Sequence, residues 1–180
     1  MGIPPLFNLT EKVALVSGAS RGIGAAIAQI LAEFGANVIL TSRRAENLKE
    51  VETAIIKSGN QASSMVCHNG DLAQIESLFQ NIKKIHGRLD ILINNAATNP
   101  FYGSVLDADE AAWDKTLDVN LKGPFFMCQH AANLMRKNAG GSIVNVSSIN
   151  GRIPMHQQSS YSITKAGLIS MTQAFAKELV

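Results

Sequence analysis

Apolar residues along this chain fall into short dense runs that alternate with longer stretches of helical period. The runs Lys12–Ser17, Asn37–Thr41, Ala62–Cys67, Leu89–Asn94 and Ser142–Ser147 are apolar, mostly β-branched, and lack strict polar alternation. That pattern predicts strands covered on both faces, because a strand with one wet face alternates. Between them the spacing predicts helices over Gly22–Phe34, Ala45–Ser58, Leu72–His86, Asp109–Arg136 and Tyr161–Leu179. Gly35, Gly59 and Gly87 stand just past three of these, where a left-handed cap favours glycine. The repeated βα alternation predicts an α/β fold, a Rossmann-type doubly wound parallel sheet forming one domain over residues 1–180. Five strands are visible where such sheets commonly have about six or more, and the helical pattern still runs at Val180. The expectation is a domain incomplete at its C-terminus.

The first strand enters Gly18-Ala19-Ser20-Arg21-Gly22-Ile23-Gly24, which opens the first helix. A glycine turn in that context lets backbone approach a pyrophosphate, while free N–H groups and the helix dipole favour the anion. The spacing is not that of a P-loop, since no Gly-Lys-Ser/Thr follows. Glycine-rich turns also occur without a ligand, so the second strand decides. NAD-binding folds place an acid near its end for the ribose 2′-hydroxyl. Here Ser42-Arg43-Arg44 follows instead, with no acid before Glu46. Arginine suits a 2′-phosphate, and Arg21 is a second candidate. NADP(H) is therefore preferred, with NAD(H) the alternative.

Tyr161 and Lys165 are four apart on a predicted helix, hence neighbours on one face. A free tyrosine, with pKa near 10, is a poor base near neutrality, and an adjacent ammonium favours its phenolate. Ser147-Ser148 ends the fifth strand, at the sheet edge where ligands of open α/β sheets bind. The three residue types together can hold a carbonyl oxygen and move a proton to it.

Composition narrows the classes. Apolar residues make up 46% and the net charge is +2, with no Lys/Arg run longer than a pair, so neither nucleic acid nor a membrane surface is expected. Cys67 and Cys128 lack C-x-x-C spacing; free thiols are expected, with no disulfide and no metal. No apolar stretch reaches the roughly 20 residues of a membrane span, and the N-terminus has no signal-peptide pattern. Met1-Gly2 invites acylation, but the sixth position is Leu6 rather than Ser or Thr. The expected location is the cytoplasm.

With these motifs in order, the chain resembles the short-chain dehydrogenases/reductases. The resemblance spans the glycine turn, Asn94-Asn95-Ala96-Ala97, Val119-Asn120-Leu121-Lys122-Gly123, Val146-Ser147-Ser148 and Tyr161-Ser162-Ile163-Thr164-Lys165. The stretch Asn94–Gly103 is especially similar to the subgroup around dehydrogenase/reductase family member 4, NADP-linked carbonyl reductases with bacterial relatives. The resemblance implies hydride transfer between NADP(H) and a small carbonyl or secondary alcohol. It implies Tyr161 as general acid/base, Lys165 lowering its pKa and binding the nicotinamide ribose, Ser148 on the substrate oxygen, and Asn120 holding a relay water. Gly18, Ser20, Arg21, Gly22, Ile23, Gly24, Ser42, Arg43, Asn95 and Ala96, with Tyr161 and Lys165, would bind cofactor. Cys67-His68-Asn69 stands where the family has an adenine-bracketing Asp; His68 and Asn69 are expected to take over, with Asp71 a competitor. His156, between Ser148 and Tyr161, is a lesser candidate for substrate contact. A homodimer or homotetramer is implied through the two long helices, with Phe125, Phe126, Met127, Ile169, Met171 and Phe175 as interface candidates. A second reading, a cofactor-binding segment without turnover, rests on the ending at Val180.

Overall fold

A computed structural model describes residues 5–179; Met1-Gly2 and Val180, on which the acylation and chain-end readings fall, lie outside them. The chain runs β1 (Val13–Ser17), α1 (Gly22–Glu33), β2 (Asn37–Ser42), α2 (Ala45–Lys57), β3 (Ala62–Val66), α3 (Leu72–His86) and β4 (Ile91–Asn94). It continues through α4 (Glu110–Leu117), a π-helical segment (Asp118–Lys122), α5 (Gly123–Met135), β5 (Ser142–Asn145) and α6 (Ser159–Glu178). All strand pairs are parallel, in the order β3-β2-β1-β4-β5. The order reverses between β1 and β4, so their C-terminal ends open the crevice in which doubly wound sheets bind ligands.

Every residue of β1 is buried, and parity divides its side chains between two cores. Val13 and Leu15 pack with Ile39 and Leu92 under α3, α5 and α6; Ala14 and Val16 pack with Val38, Leu40 and Ile93 under α1 and α2. This is why β1 and β2 read as unbroken apolar runs. The edge strands depart from that expectation: β3 is mostly half-buried and β5 alternates exposed with half-buried residues.

Gly35, Gly59 and Gly87 take positive φ just past α1, α2 and α3, as their positions predict. Two boundaries differ instructively. The helix expected over Asp109–Arg136 changes register in its middle, where the Gly123 N–H bonds the Asp118 carbonyl five residues back. Pro124 has no N–H to return to the Asn120 carbonyl, so an α-helical ladder fails there and a π turn relieves it. The fifth strand stops at Asn145 rather than Ser147. After the Val146 N–H bonds the Asn94 carbonyl, Ser147 Oγ turns to donate to the Lys165 carbonyl at 2.9 Å.

Leu15 is fully buried at the centre of the sheet. Leu15→Ala is expected to lower stability by roughly 2–5 kcal/mol, read as a fall in the urea midpoint at unchanged denaturant slope.

Candidate active site and cofactor cleft

The ends of β1 and β4 are stitched by a set of hydrogen bonds centred on Ser17 and Asn95. Ser17 Oγ accepts from the main-chain N–H groups of Asn95 and Ala96, at 3.0 and 3.1 Å. In return Asn95 Nδ2 donates to the Ser17 and Gly18 carbonyls, at 3.0 and 3.2 Å. The approach leaves no space for a side chain at Gly18 or Gly24. Gly18 has φ +66°, and a Cβ on it would stand 2.8 Å from Ala96 Cα; a Cβ on Gly24 would collide with the Gly18 carbonyl oxygen. Asn95 thus contributes as much by fixing the turn as by lining a cleft.

Beside this turn lies a cleft of about 440 Å³. Its walls bring together Gly18, Ser20, Arg21, Gly22, Ile23, Gly24, Ser42, Arg43, His68, Asn69, Asn95 and Ala96, every residue expected there apart from Tyr161 and Lys165. No side chain caps the start of α1, so its first N–H groups remain available to an anion. Arg21 and Arg43 are exposed and join no ion pair among the described residues. Lys115 and Val119, assigned no role in the cleft from sequence, also line it; α4 brings in the first and the π-helical segment the second.

At the third strand the structure separates three candidates. His68 Nδ1 accepts from the Gly70 N–H at 3.0 Å, which leaves Nε2 as the donor of the neutral ring. Asn69 is buried, and its Nδ2 has no acceptor among the described residues, an unmet donor at the cleft wall. Asp71 does not line the cleft. Its carboxylate caps α3, accepting from the Ala73 and Gln74 N–H groups and from Gln74 Nε2. Those bonds, led by the Gln74 N–H, hold it below the ordinary carboxylate range, and the competition with His68 and Asn69 is removed.

A second cleft, about 420 Å³, is lined by Ser148, Asn150, Met155, Gln158, Tyr161 and Asn99, and it shares Ala97 and Thr98 with the first. Ser148 Oγ accepts the Asn150 N–H at 3.2 Å as the cap of a short turn, so its hydroxyl proton is free to donate outward. Ser147 is spent on the Lys165 carbonyl, which separates the roles of the two serines. His156 is exposed and lines neither cleft.

Lys165 is 3% exposed and also lines neither cleft. Its Nζ donates to the Val146 carbonyl at 2.7 Å and lies 5.7 Å from the centre of the Tyr161 ring. Asn120 clamps Thr98 on both sides: Oδ1 accepts the Thr98 N–H and Nδ2 donates to its carbonyl, each at 2.8 Å. Its remaining amide hydrogen reaches Thr164 Oγ1 at 3.2 Å. Met127 and Met171 belong to the core, which removes them as interface positions, whereas Phe125 is 41% exposed. Among the described residues no helix is long and apolar enough to cross a membrane, and no three His, Cys, Asp or Glu side chains cluster as metal ligands.

Burial moves three groups across the alkaline range. It lowers Lys165 from 10.5 to about 8. It raises the free thiols Cys67, with help from Asp71, and Cys128, against hydrogen bonds to Asn145 and from Asn94, from 9.0 to about 11 each. Between pH 8 and 10.5 the unfolded chain holds a lysine proton the folded chain lacks, so stability rises with pH; below about 8 the penalty is full and constant. Between pH 9 and 11 the folded chain keeps two thiol protons the unfolded chain loses, so stability falls. The melting temperature is expected to rise from about pH 8 to about pH 9 and then fall. In thermal melts across this range, Lys165→Met should abolish the rise, and a Cys67→Ala/Cys128→Ala double variant should replace the fall with a rise that continues to about pH 10.5.

A family model described as short chain dehydrogenase matches residues 12–180. Human Dehydrogenase/reductase SDR family member 4 is 42% identical over 171 residues, which cover 95% of this chain and 62% of that protein. The chain thus spans less than two thirds of that relative's length. A putative short-chain alcohol dehydrogenase from Sinorhizobium meliloti 1021 superposes with TM-score 0.92 at 40% identity, over 97% of this chain and 69% of its own. A metagenomic short-chain oxidoreductase solved in complex with NADP gives TM-score 0.92 at 38% identity, over 94% of this chain and 77% of its own. The chain belongs to the short-chain dehydrogenase family of oxidoreductases.

Proposed function

We propose that the protein transfers a hydride between NADP(H) and a carbonyl or secondary alcohol, with Tyr161 exchanging the proton at the substrate oxygen. The observation that carries this reading is the shared wall of the two clefts. Ala97 and Thr98 belong to both, so an oxygen held between Ser148 and Tyr161 sits beside the end of a dinucleotide laid along the glycine turn. The residues present fit such a cofactor: uncapped N–H groups at α1 face the phosphates, Asn69 offers an unmet donor, and Arg21 and Arg43 are unpaired. When bound, the nicotinamide supplies or accepts the hydride.

The protein's own part is proton transfer and positioning. Ser148 donates its hydroxyl hydrogen to the substrate oxygen. Tyr161 gives that oxygen a proton in reduction and takes one in oxidation. The Lys165 ammonium, fixed by the Val146 carbonyl, stands 5.7 Å from the centre of the Tyr161 ring and presents its charge to the reacting side chain. Asn120 has both amide hydrogens committed to Thr98 and Thr164, so a relay water would meet its main-chain carbonyl, which Pro124 cannot serve. NADP(H) is preferred over NAD(H) because two guanidinium groups and no carboxylate line the cleft beside β2. The relative solved with NADP supports a nicotinamide dinucleotide there. Buried free thiols suit a reducing cytoplasm, and the exposed Phe125, in edge-to-face contact with Phe126 and Phe175, offers a surface for self-association.

The test is NADPH oxidation by the protein against a panel of aldehydes and of aliphatic and aryl ketones. Tyr161→Phe is expected to lower kcat by about 10²–10⁴ with NADPH affinity nearly intact; a variant at native rate overturns the assignment. Arg43→Ala is expected to weaken NADPH binding about tenfold or more while NADH binding changes little, measured by fluorescence titration; equal losses would refute the 2′-phosphate role.

A further inference from the structure

Three amide side chains meet in the wall of the Ser148–Tyr161 cleft, and none has a role in the reaction described above. Gln158 Oε1 accepts from Asn99 Nδ2 at 3.3 Å and from Asn150 Nδ2 at 3.2 Å. Each comes from a different segment: Asn99 from the loop after β4, Asn150 from the turn after β5, and Gln158 from the residue that starts α6. All three line the cleft with the two hydroxyls.

The amides connect to those hydroxyls through short paths. Asn150 is 5% exposed, and its main-chain N–H is the donor that holds Ser148 Oγ. Gln158 precedes Tyr161 by three residues, and its carbonyl accepts the Ser162 N–H at 2.9 Å, in the turn that carries Tyr161. One side-chain oxygen therefore ties the Ser148 segment, the Tyr161 helix and the loop that follows Thr98.

The apolar side chains between them supply little of this tie, since Ile149, Ile153 and Met155 are all more than half exposed. On the near side of the turn Ser147 Oγ holds the Lys165 carbonyl, and Gly151 packs its backbone against that of Lys165 and Ala166; on the cleft side the amide cluster supplies the side-chain hydrogen bonds. The backbone supports it as well. Gln157 has φ +63°, a left-handed conformation costly for a residue with a side chain, and its carbonyl is held by the Gly103 N–H at 3.1 Å. Such strain persists only where the surroundings impose it. Here it turns the chain into α6 with Gln158 making no cap bond, its side chain committed to Asn99 and Asn150.

We propose that Gln158 is a positioning residue for the reaction: its Oε1 gathers Asn99 and Asn150 and so fixes the separation at which Ser148 and Tyr161 converge on one substrate oxygen. The inference rests on the carbonyl-reductase reading above. Two hydroxyls must reach the same atom together, and a displacement of about 1 Å at a reacting group costs up to about a hundredfold in rate.

The experiment compares Gln158→Met, Gln158→Glu, Asn150→Ala and the Gln158→Met/Asn150→Ala double variant, with acetophenone as carbonyl probe and Tyr161→Phe in parallel. Gln158→Met removes the acceptor at similar volume; it is expected to lower kcat about tenfold or more while KM and NADPH affinity stay near native. Gln158→Glu keeps oxygen acceptors for both asparagines and should restore most of the rate. Because one cluster is being broken, the double variant should lose no more than the worse single variant. Native kcat in Gln158→Met, loss that Gln158→Glu does not restore, or additive losses would each overturn the proposal. Should Gln158→Met fail to melt cooperatively, Gln158→Glu and Asn150→Ala carry the same comparison. If Tyr161→Phe is inactive and the Gln158 variants are native, this inference falls and the reaction stands. If Tyr161→Phe keeps the native rate, both fall.

Discussion

The candidate site depends on two strand ends, those of β1 and β4, lying closer together than side chains at Gly18 and Gly24 would allow. Gly18 and Gly24 make room, and Asn95 converts the room into bonds by donating to the Ser17 and Gly18 carbonyls. Parallel strands that end side by side leave main-chain groups without ladder partners. Ser17 Oγ and Asn95 satisfy several of these internally. The first N–H groups of α1 lack partners for a separate reason, the start of the helix itself, and no side chain caps them. The same close approach that ties the two strand ends thus sets those N–H groups beside the first cleft.

Lys165 shows the opposite relation between site and stability. Burying an ammonium with one carbonyl partner and no carboxylate costs the fold, and the fall of its pKa to about 8 expresses that cost. A hydrophobic residue would pack at this position more cheaply. What the lysine supplies is a positive charge under the Tyr161 ring, in a setting where water screens it little. Asp90 meets burial differently. Burial raises its pKa, but hydrogen bonds from Arg88 and the Val13 N–H, with the charges of Arg88 and Lys12, outweigh that and hold it below the ordinary range. The compensated charge lies at the end of the sheet away from the clefts, and the uncompensated one lies beneath the candidate site.

Much of this was legible in the sequence because it is local. Strands covered on both faces announce themselves as apolar runs, glycine caps fall at fixed offsets, and the glycine turn keeps its context between a strand and a helix. The preference for Ser148 over Ser147 followed from the family resemblance and not from the local pattern. The rest depends on contacts between distant segments. Asp71 carries the charge expected of an adenine contact, yet it is three residues from the Gln74 N–H it caps, and capping won. The π turn at Asn120 has a local cause in Pro124, but a periodicity of apolar residues does not register a missing N–H. Met127 and Met171 sit on helices with apolar residues on several sides, where pattern alone does not separate core from interface. Lys115, Asn99, Asn150 and Gln158 belong to residue types that ordinarily decorate surfaces; only tertiary placement turns them toward a cleft.

The segment after β4 joins these levels. Asn95 faces back to the glycine turn, Ala97 and Thr98 form the wall common to both clefts, and Asn99 reaches Gln158 at the start of α6. Thr98 itself is gripped through both main-chain polar groups by Asn120, whose own helix is unwound by one residue at that point. A loop at the mouth of an open sheet is ordinarily among the least constrained parts of a fold. Here residues of one short loop are bonded to β1, to the π turn and to the residue that precedes α6, so the wall between the two clefts is fixed from three sides. In the proposed reaction a hydride would cross that boundary, and holding it from three elements would keep the distance between the two ligands constant while each enters from its own side.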